Sequence, residues 1–332
     1  MGNTLGLKEY IARRLVYNVV LLFFVVVLNF IIFMAMPGDP TIMFIGRRMT
    51  REQIERVREM FGLDEPLHKR FIKYMWNMLT WRFGISFYTS KPVYWEIVER
   101  IPNTLLLMGI STALSIAIGT LVGAYAAYKR GSAFDTASVM ASLITYSLPT
   151  FWMGMIFILI FGKWAAAIFG RPLFPIAGTM SRPPPTEPIA RIVDMLWHMV
   201  LPVTTIFLFS YGQYVLLMRS AVLENLTEDY IITAKAKGLD DKAILFKHAL
   251  RNALLPLITQ AAISFGFVLS GAIITETVFT WRGLGTYIWQ AIQFNDYPRL
   301  QATFYIIALC VIIANFIADI LYGLVDPRIR YE

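Results

Sequence analysis

The sequence predicts an all-α, polytopic membrane protein with six transmembrane helices and both termini in the cytoplasm. Three observations carry this. Of 332 residues, 57% are hydrophobic and only 16% charged, whereas soluble chains run at about 45–50% apolar and about 25% charged. Six stretches lack Asp, Glu, Lys and Arg over the roughly 20 residues that a helix needs to cross a bilayer. The basic residues of the tails and short connections fall mainly on one side.

The six stretches are residues 15–36, 101–128, 136–162, 195–218, 252–275 and 300–318, the last running past Asp319 to about 325. Pro149, Pro202 and Pro256 lie in or near spans and are expected to kink or break them. With the N-terminus inside, the inner connections and the two tails hold 13 Lys and Arg against 6 in the short outer connections; the long outer connection holds the other 11 but is about the length at which the positive-inside rule stops counting. Arg13-Arg14 before the first span resembles a signal-peptide start. The apolar stretch is too long for one, however, and Met36-Pro37-Gly38-Asp39-Pro40 is not a small-residue cleavage site. It reads as an uncleaved span.

Two connections are more than linkers. The outer one, 37–100, opens with a capping box, Thr50 and Gln53, ahead of Ile54, Val57, Met60 and Phe61 at helical spacing. A second amphipathic helix starts near Pro66, with Leu67, Phe71, Tyr74, Met75 and Met78 on one face. A short helix over 92–100 leads into the second span; the amphipathic faces either pack together as an external cap, the favoured reading, or lie in the membrane interface. Residues 171–188, with Pro183-Pro184-Pro185, form a stiff, irregular outer loop. The inner connection, 221–251, reads as helix, tight turn, helix, broken once at Gly238-Leu239-Asp240-Asp241. Ala234 and Ala236 precede the turn. Ile244, Leu245, Ala249 and Leu250 follow it as an apolar face. Glu224, Glu228, Asp229, Asp240 and Asp241 nearly balance its lysines, which suits a protein-docking surface better than anionic lipid.

Chemistry is scarce. One cysteine, Cys310, excludes an intrachain disulfide and a cysteine metal site. His68, His198 and His248 are far apart. Gly162-Lys163 lacks the spacing and the Ser/Thr of a phosphate-binding loop, and neither HExxH nor GxSxG occurs. No catalytic, cofactor-binding or metal site is expected, and no nucleic-acid partner. The few charges near span ends, Asp194, Glu276 and Asp319, argue against a proton relay or a charged-ring channel. The lack of an internal repeat argues against a secondary transporter. Gly119-xxx-Gly123 is a helix-packing signal. Gly266, Ser270, Glu276 and Asp319 are the candidate pathway or gate residues.

Tyr230-Ile231-Ile232-Thr233-Ala234-Lys235-Ala236-Lys237-Gly238-Leu239 and His248-Ala249-Leu250-Arg251-Asn252-Ala253-Leu254-Leu255-Pro256 resemble the cytoplasmic signature loop of ABC importer permeases. They look most like the first permease subunit of the dipeptide and oligopeptide branch. Arg13-Arg14-Leu15, Pro37-Gly38-Asp39-Pro40, Phe61-Gly62-Leu63-Asp64-Glu65-Pro66-Leu67, Glu276-Thr277-Val278-Phe279, Gly283-Leu284-Gly285 and Asp326-Pro327-Arg328-Ile329-Arg330-Tyr331 extend the resemblance over nearly the whole chain. Four residues, at three places, depart from the usual patterns. Ile232-Thr233-Ala234 stands where the general signature has Glu-Ala-Ala, Arg251 where it has proline, and Arg282 where this branch often has proline.

The resemblance implies a type I ABC importer permease fold in a prokaryotic cell membrane. Its parts would be residues 1–36 (tail and first span), 37–100 (extracellular subdomain), 101–325 (permease core with coupling loop 221–251) and 326–332 (cytoplasmic tail). The implied partners are a second homologous permease, two cytoplasmic ATPase subunits that bind ATP and Mg, an extracellular substrate-binding protein and the lipid bilayer. Coupling to an ATPase would run through Ala234, Lys235, Ala236, Gly238, Leu239, Asp240, His248, Leu250 and Arg251. The cargo would be oligopeptides or, as in some relatives, short oligosaccharides. An ion-coupled secondary transporter is the alternative.

Overall fold

A computed structural model describes residues 7–35, 52, 55, 65–266, 268 and 272–325. The capping box at Thr50, the amphipathic stretch to Phe61, the Pro37–Pro40 motif, Ser270, Gly271 and the tail from Asp326 lie outside the described residues. The helices are α1 (Leu7–Ala35), α2 (Leu67–Leu79), α3 (Val93–Tyr128), α4 (Ala133–Ser147), α5 (Thr150–Phe157), α6 (Ala165–Phe169), α7 (Pro188–Asn225), α8 (Asp229–Ala236), α9 (Asp241–Ala243), α10 (Leu250–Gly266), α11 (Ile273–Val278), α12 (Leu284–Gln293) and α13 (Tyr297–Val325). Two π-helical segments, Ile158–Trp164 and Ile244–Ala249, join α5 to α6 and α9 to α10. Among the described residues five helical stretches are long and apolar enough to cross a bilayer: Glu9–Phe33, Val93–Tyr128, Thr150–Phe169, Pro188–Asn225 and Tyr297–Ile317.

The third predicted span is corrected. Residues 136–162 are not one helix. Helix α4 stops at Leu148, whose ψ of 134° is extended, because the Pro149 ring disfavours helical backbone in the residue before it. Helix α5 restarts at once with Pro149 as its cap, and the spanning helix is displaced to 150–169. Pro202 and Pro256, by contrast, sit inside α7 and α10, and the helices run on through them. The short helix expected over 92–100 is the first part of α3, continuous through Pro102. The fifth predicted span divides into α10 and α11 with undescribed residues between them.

The chain forms two compact units. The first holds residues 1–102, 269–273 and 283–332. Here α1 lies along α13. Asn29 donates to the Gln301 carbonyl (3.1 Å), and Phe33 meets Tyr297 edge-on. Tyr74 and Met78 of α2 are buried as the helical spacing predicts, whereas Leu67, expected on the same face, is exposed; the Phe71 ring packs edge-on to Phe30 at 5.2 Å.

A polar node sits in this core. Arg299 is 1% exposed and forks onto Glu96 through Nη2 (2.8 Å) and Nε (3.1 Å). Its Nε also lies 3.3 Å from Asp296. Asp296 accepts from Ser86 Oγ at 2.6 Å, and Glu96 accepts from Tyr287 at 2.9 Å. The Arg299 guanidinium lies over the Tyr287 ring at 4.6 Å.

The second unit, residues 103–268 and 274–282, is built round α7. Gly119 and Gly123 of α3 meet it where no side chain fits. A Cβ on Gly119 would lie 2.6 Å from Tyr214 Cβ, and one on Gly123 would collide with the Val215 carbonyl oxygen. This bears out the packing role of the two glycines. On another side of α7, a Cβ on Gly212 would lie 2.6 Å from the Ser142 carbonyl oxygen of α4. Tyr214 reaches α10 by donating to Ser264 at 2.7 Å.

Two outcomes are expected from thermal unfolding in detergent. Gly123→Leu has backbone, not a movable side chain, in its way, and should cost about 3 kcal/mol or more. Arg299→Met leaves Glu96 and Asp296 buried without their cation and should cost about 3–5 kcal/mol. Wild-type melting of either variant would show that the contact is not made.

Candidate coupling surface

The inner loop closes its own small core. Ile231 and Ala234 of α8 pack with Ile244 and Ala249 of the π-helical segment, and Leu226 and Tyr230 cover them. The turn between them is sharp because Gly238 takes φ +75°, a left-handed conformation that costs glycine nothing and other residues about 1–2 kcal/mol. Its N–H donates to the Lys235 carbonyl at 2.9 Å, and that of Leu239 to the Ala234 carbonyl. The predicted helix, turn and helix are all present. No atom lies within 4 Å of where a Cβ on Gly238 would stand, so the glycine serves the turn and the space outside it, not internal packing.

Once this core is closed, three large apolar side chains remain outside it. Ile232 is 63% exposed, Phe246 62% and Leu239 40%. Lys235, Ala236, Lys237 and Asp240 are exposed beside them, as is Arg251. His248 and Leu250 are partly buried, and Leu250 packs against the core under α7. Of the predicted coupling residues, Ala234 alone is fully buried; it shapes the loop from within. Ile232 and Phe246 were not among them. The signal was there: with Ile244, Leu245 and Ala249 turned inward, residue 246 falls on the opposite face of the helix.

The loop is tied to the stem it leaves. Asn225, the last residue of α7, donates to the Ala221 carbonyl and accepts from the Tyr230 hydroxyl, both at 2.9 Å. Leu226 belongs to both the loop core and the core under α7. On the stem, Arg219 forks onto Asp135 at the start of α4, Nε to Oδ1 at 2.5 Å and Nη2 to Oδ2 at 2.9 Å. The Gly131 N–H donates to the same carboxylate at 3.0 Å. The Arg219 guanidinium, helped by that N–H, holds the Asp135 carboxyl at about 2, so it is ionised at every physiological pH. The sequence reading missed this pair, whose partners lie 84 positions apart.

The candidate pathway residues are dispersed. Glu276 is fully buried and accepts from Thr104 at 3.0 Å. Asp319 lies 3.5 Å from Arg14, and its carbonyl accepts from the Tyr10 hydroxyl. Gly266 ends α10, and Ser270 lies outside the described residues. A cavity of about 390 Å³ in the second unit is lined by Met155, Leu159, Ile176 and other apolar residues, with Lys163 as its one charged group.

The family described as binding-protein-dependent transport system inner membrane component matches residues 119–331, and its N-terminal counterpart matches 7–108. The di/tripeptide transport system permease protein DppB of Pseudomonas aeruginosa is 35% identical over 98% of this chain and 99% of its own. The dipeptide transport system permease protein DppB of Escherichia coli has the same identity and coverage. The oligopeptide transport system permease protein AppB of Bacillus subtilis is also 35% identical, over 98% of this chain and all of its own. Among solved structures, an inward-facing MetNI methionine ABC transporter superposes with a TM-score of 0.53 at 19% identity, over 72% of this chain and 100% of that one, which fits the type I importer permease fold. The chain belongs to the binding-protein-dependent transport system inner membrane components, and it is a multi-pass permease of ABC importers in the prokaryotic cell membrane.

Proposed function

We propose that this permease forms half of a peptide pathway, and that residues 229–251 are the surface through which a cytoplasmic ATPase drives it. The observation that carries the proposal is the exposed trio Ile232, Leu239 and Phe246 on a loop whose own core is already closed. A solvated loop gains nothing from three exposed apolar side chains. A partner's groove does, since apolar anchors ringed by charge are the pattern of interface hot spots. Lys235, Lys237 and Asp240 supply that ring. The other half of the pathway would be a second, homologous permease. ATP and Mg would be bound by the two ATPase chains, and an external protein would deliver the cargo. Both termini would then be cytoplasmic and residues 37–100 external. The names of the relatives, di/tripeptide, dipeptide and oligopeptide permeases, favour peptides over oligosaccharides as cargo. The ion-coupled alternative finds no support in a family defined by dependence on binding proteins.

The motion would be alternating access. Closure of the ATPases on ATP moves the loop, and the loop moves α7 and α10, with which it is continuous or packed. Such coupling needs contacts that differ between two states, hence a loop that keeps its shape while it moves.

Two measurements on the assembled complex test this. Gly238→Trp both strains the turn and fills the open space, and should abolish peptide uptake and the stimulation of ATPase activity by loaded binding protein. Retention of both would sink the proposal. The double variant Ile232→Ser/Phe246→Ser changes only exposed side chains, so the permease should melt within about 0.5 kcal/mol of wild type. The ATPase chains should nonetheless fail to co-purify with it; full recovery of them would contradict the docking role.

A further inference from the structure

We propose that the Asp135–Arg219 pair is a positioning element of energy transfer, fixing the rotation of α7 so that displacement of the loop becomes displacement of the helices. This rests on the coupling role assigned above to residues 229–251. The loop and the end of α7 are joined by Leu226 in both cores and by the Tyr230–Asn225–Ala221 hydrogen bonds. Arg219 lies on α7 less than two turns before that junction. Among the described residues it is the last α7 side chain before Asn225 that holds another helix by a directional bond.

The register of α4 on α7 gives the pair its meaning. The two helices run antiparallel, and three layers join them. Tyr146 stacks on Phe209 with ring centres 5.7 Å apart. Next, Gly212 meets the Ser142 backbone. Asp135 then meets Arg219, seven residues further along each helix, or about two turns. The first two layers are apolar or backbone contacts without a directional polar bond, and they lie about two turns or more further from the loop. A bidentate guanidinium–carboxylate fork is directional. Its carboxylate is only 4% exposed and is itself pinned by Gly131 N–H, while Ser132 Oγ accepts from the Asp135 N–H and caps α4. A torque on the loop is therefore passed to α4 at Asp135. With the fork removed, the other two layers still hold α4, but the end of α7 can turn without carrying it.

The test uses the full importer in proteoliposomes with its binding protein, ATP and a labelled tripeptide, and reads peptide taken up per ATP hydrolysed. Asp135→Asn should leave the ATPase chains bound and hydrolysis active, while that ratio falls at least tenfold. Arg219→Lys keeps the charge but loses the fork, and should fall part of the way; it carries the test alone if Asp135→Asn is not recovered from the membrane. Asp135→Asn/Arg219→Gln should be no worse than Asp135→Asn. Uptake and hydrolysis falling together with an unchanged ratio would reduce the pair to a structural brace and overturn the proposal. So would loss of the ATPase chains from Asp135→Asn, or additive losses in the double variant. Gly238→Trp, run in parallel, separates the two readings. Its retaining full uptake would remove the loop's role, whereas its failure beside an unchanged ratio in Asp135→Asn would remove only the role of the pair.

Discussion

Inside a bilayer no water is on hand to satisfy a polar group, so each one must find its partner within the protein. That constraint is visible residue by residue. The hydroxyls of Ser111, Ser115, Thr205 and Thr303 all turn back to a carbonyl four residues earlier on their own helix, at 2.7–2.9 Å. A hydroxyl satisfied in this way does not require a partner helix. Where a charge is buried, the same constraint works the other way and dictates tertiary structure. Glu96 and Arg299 lie 203 positions apart, and burial of either is tolerable only because the other is there.

Lipid also removes the hydrophobic drive for helix to meet helix, so association rests on close packing and a few polar contacts. Helix α7 uses a different device towards each neighbour: the two glycines of α3, its own Gly212 against α4, and the Tyr214–Ser264 hydrogen bond to α10. The first unit uses instead the polar node and a run of edge-on aromatic contacts at Phe30, Phe33 and Phe71.

What the sequence disclosed followed from the kind of signal each feature leaves. The all-helical membrane fold was legible from composition and from charge-free stretches, since both are properties of whole segments. The Gly119–Gly123 contact was legible because close packing leaves a small-residue spacing. The division of the third span at Pro149 was harder to read, because Pro202 and Pro256 interrupt the pattern in the same way and yet leave α7 and α10 continuous. The difference lies in Leu148, which turns extended, and sequence does not encode that alone. The pairs Glu96–Arg299 and Asp135–Arg219 were invisible for a simpler reason: each half reads as an ordinary charge at a span end, and only the fold brings the halves together. In the loop, the turn at Gly238 was read correctly, while Ile232 and Phe246 were passed over because attention went to the face that packs.

The exposed residues of the loop bear on how a coupling surface must be built. A loop that became ordered only on meeting its partner would spend part of the binding free energy on ordering. It would also yield under load. This loop meets both requirements before any partner arrives. Its interior is closed by Ile231, Ala234, Ile244 and Ala249, and its turn is set by a glycine at φ +75° with open space beyond it. What remains outside is Ile232, Leu239 and Phe246 amid exposed charged residues, which on the proposed reading anchor a partner. On the proposed reading, the buried residues of the signature determine the shape that is pushed, and the exposed ones determine what pushes it. Residues of the first kind, such as Ala234, should then tolerate substitution only where volume is kept. Those of the second kind, such as Ile232, are free to vary as far as folding is concerned and are held only by the groove they meet.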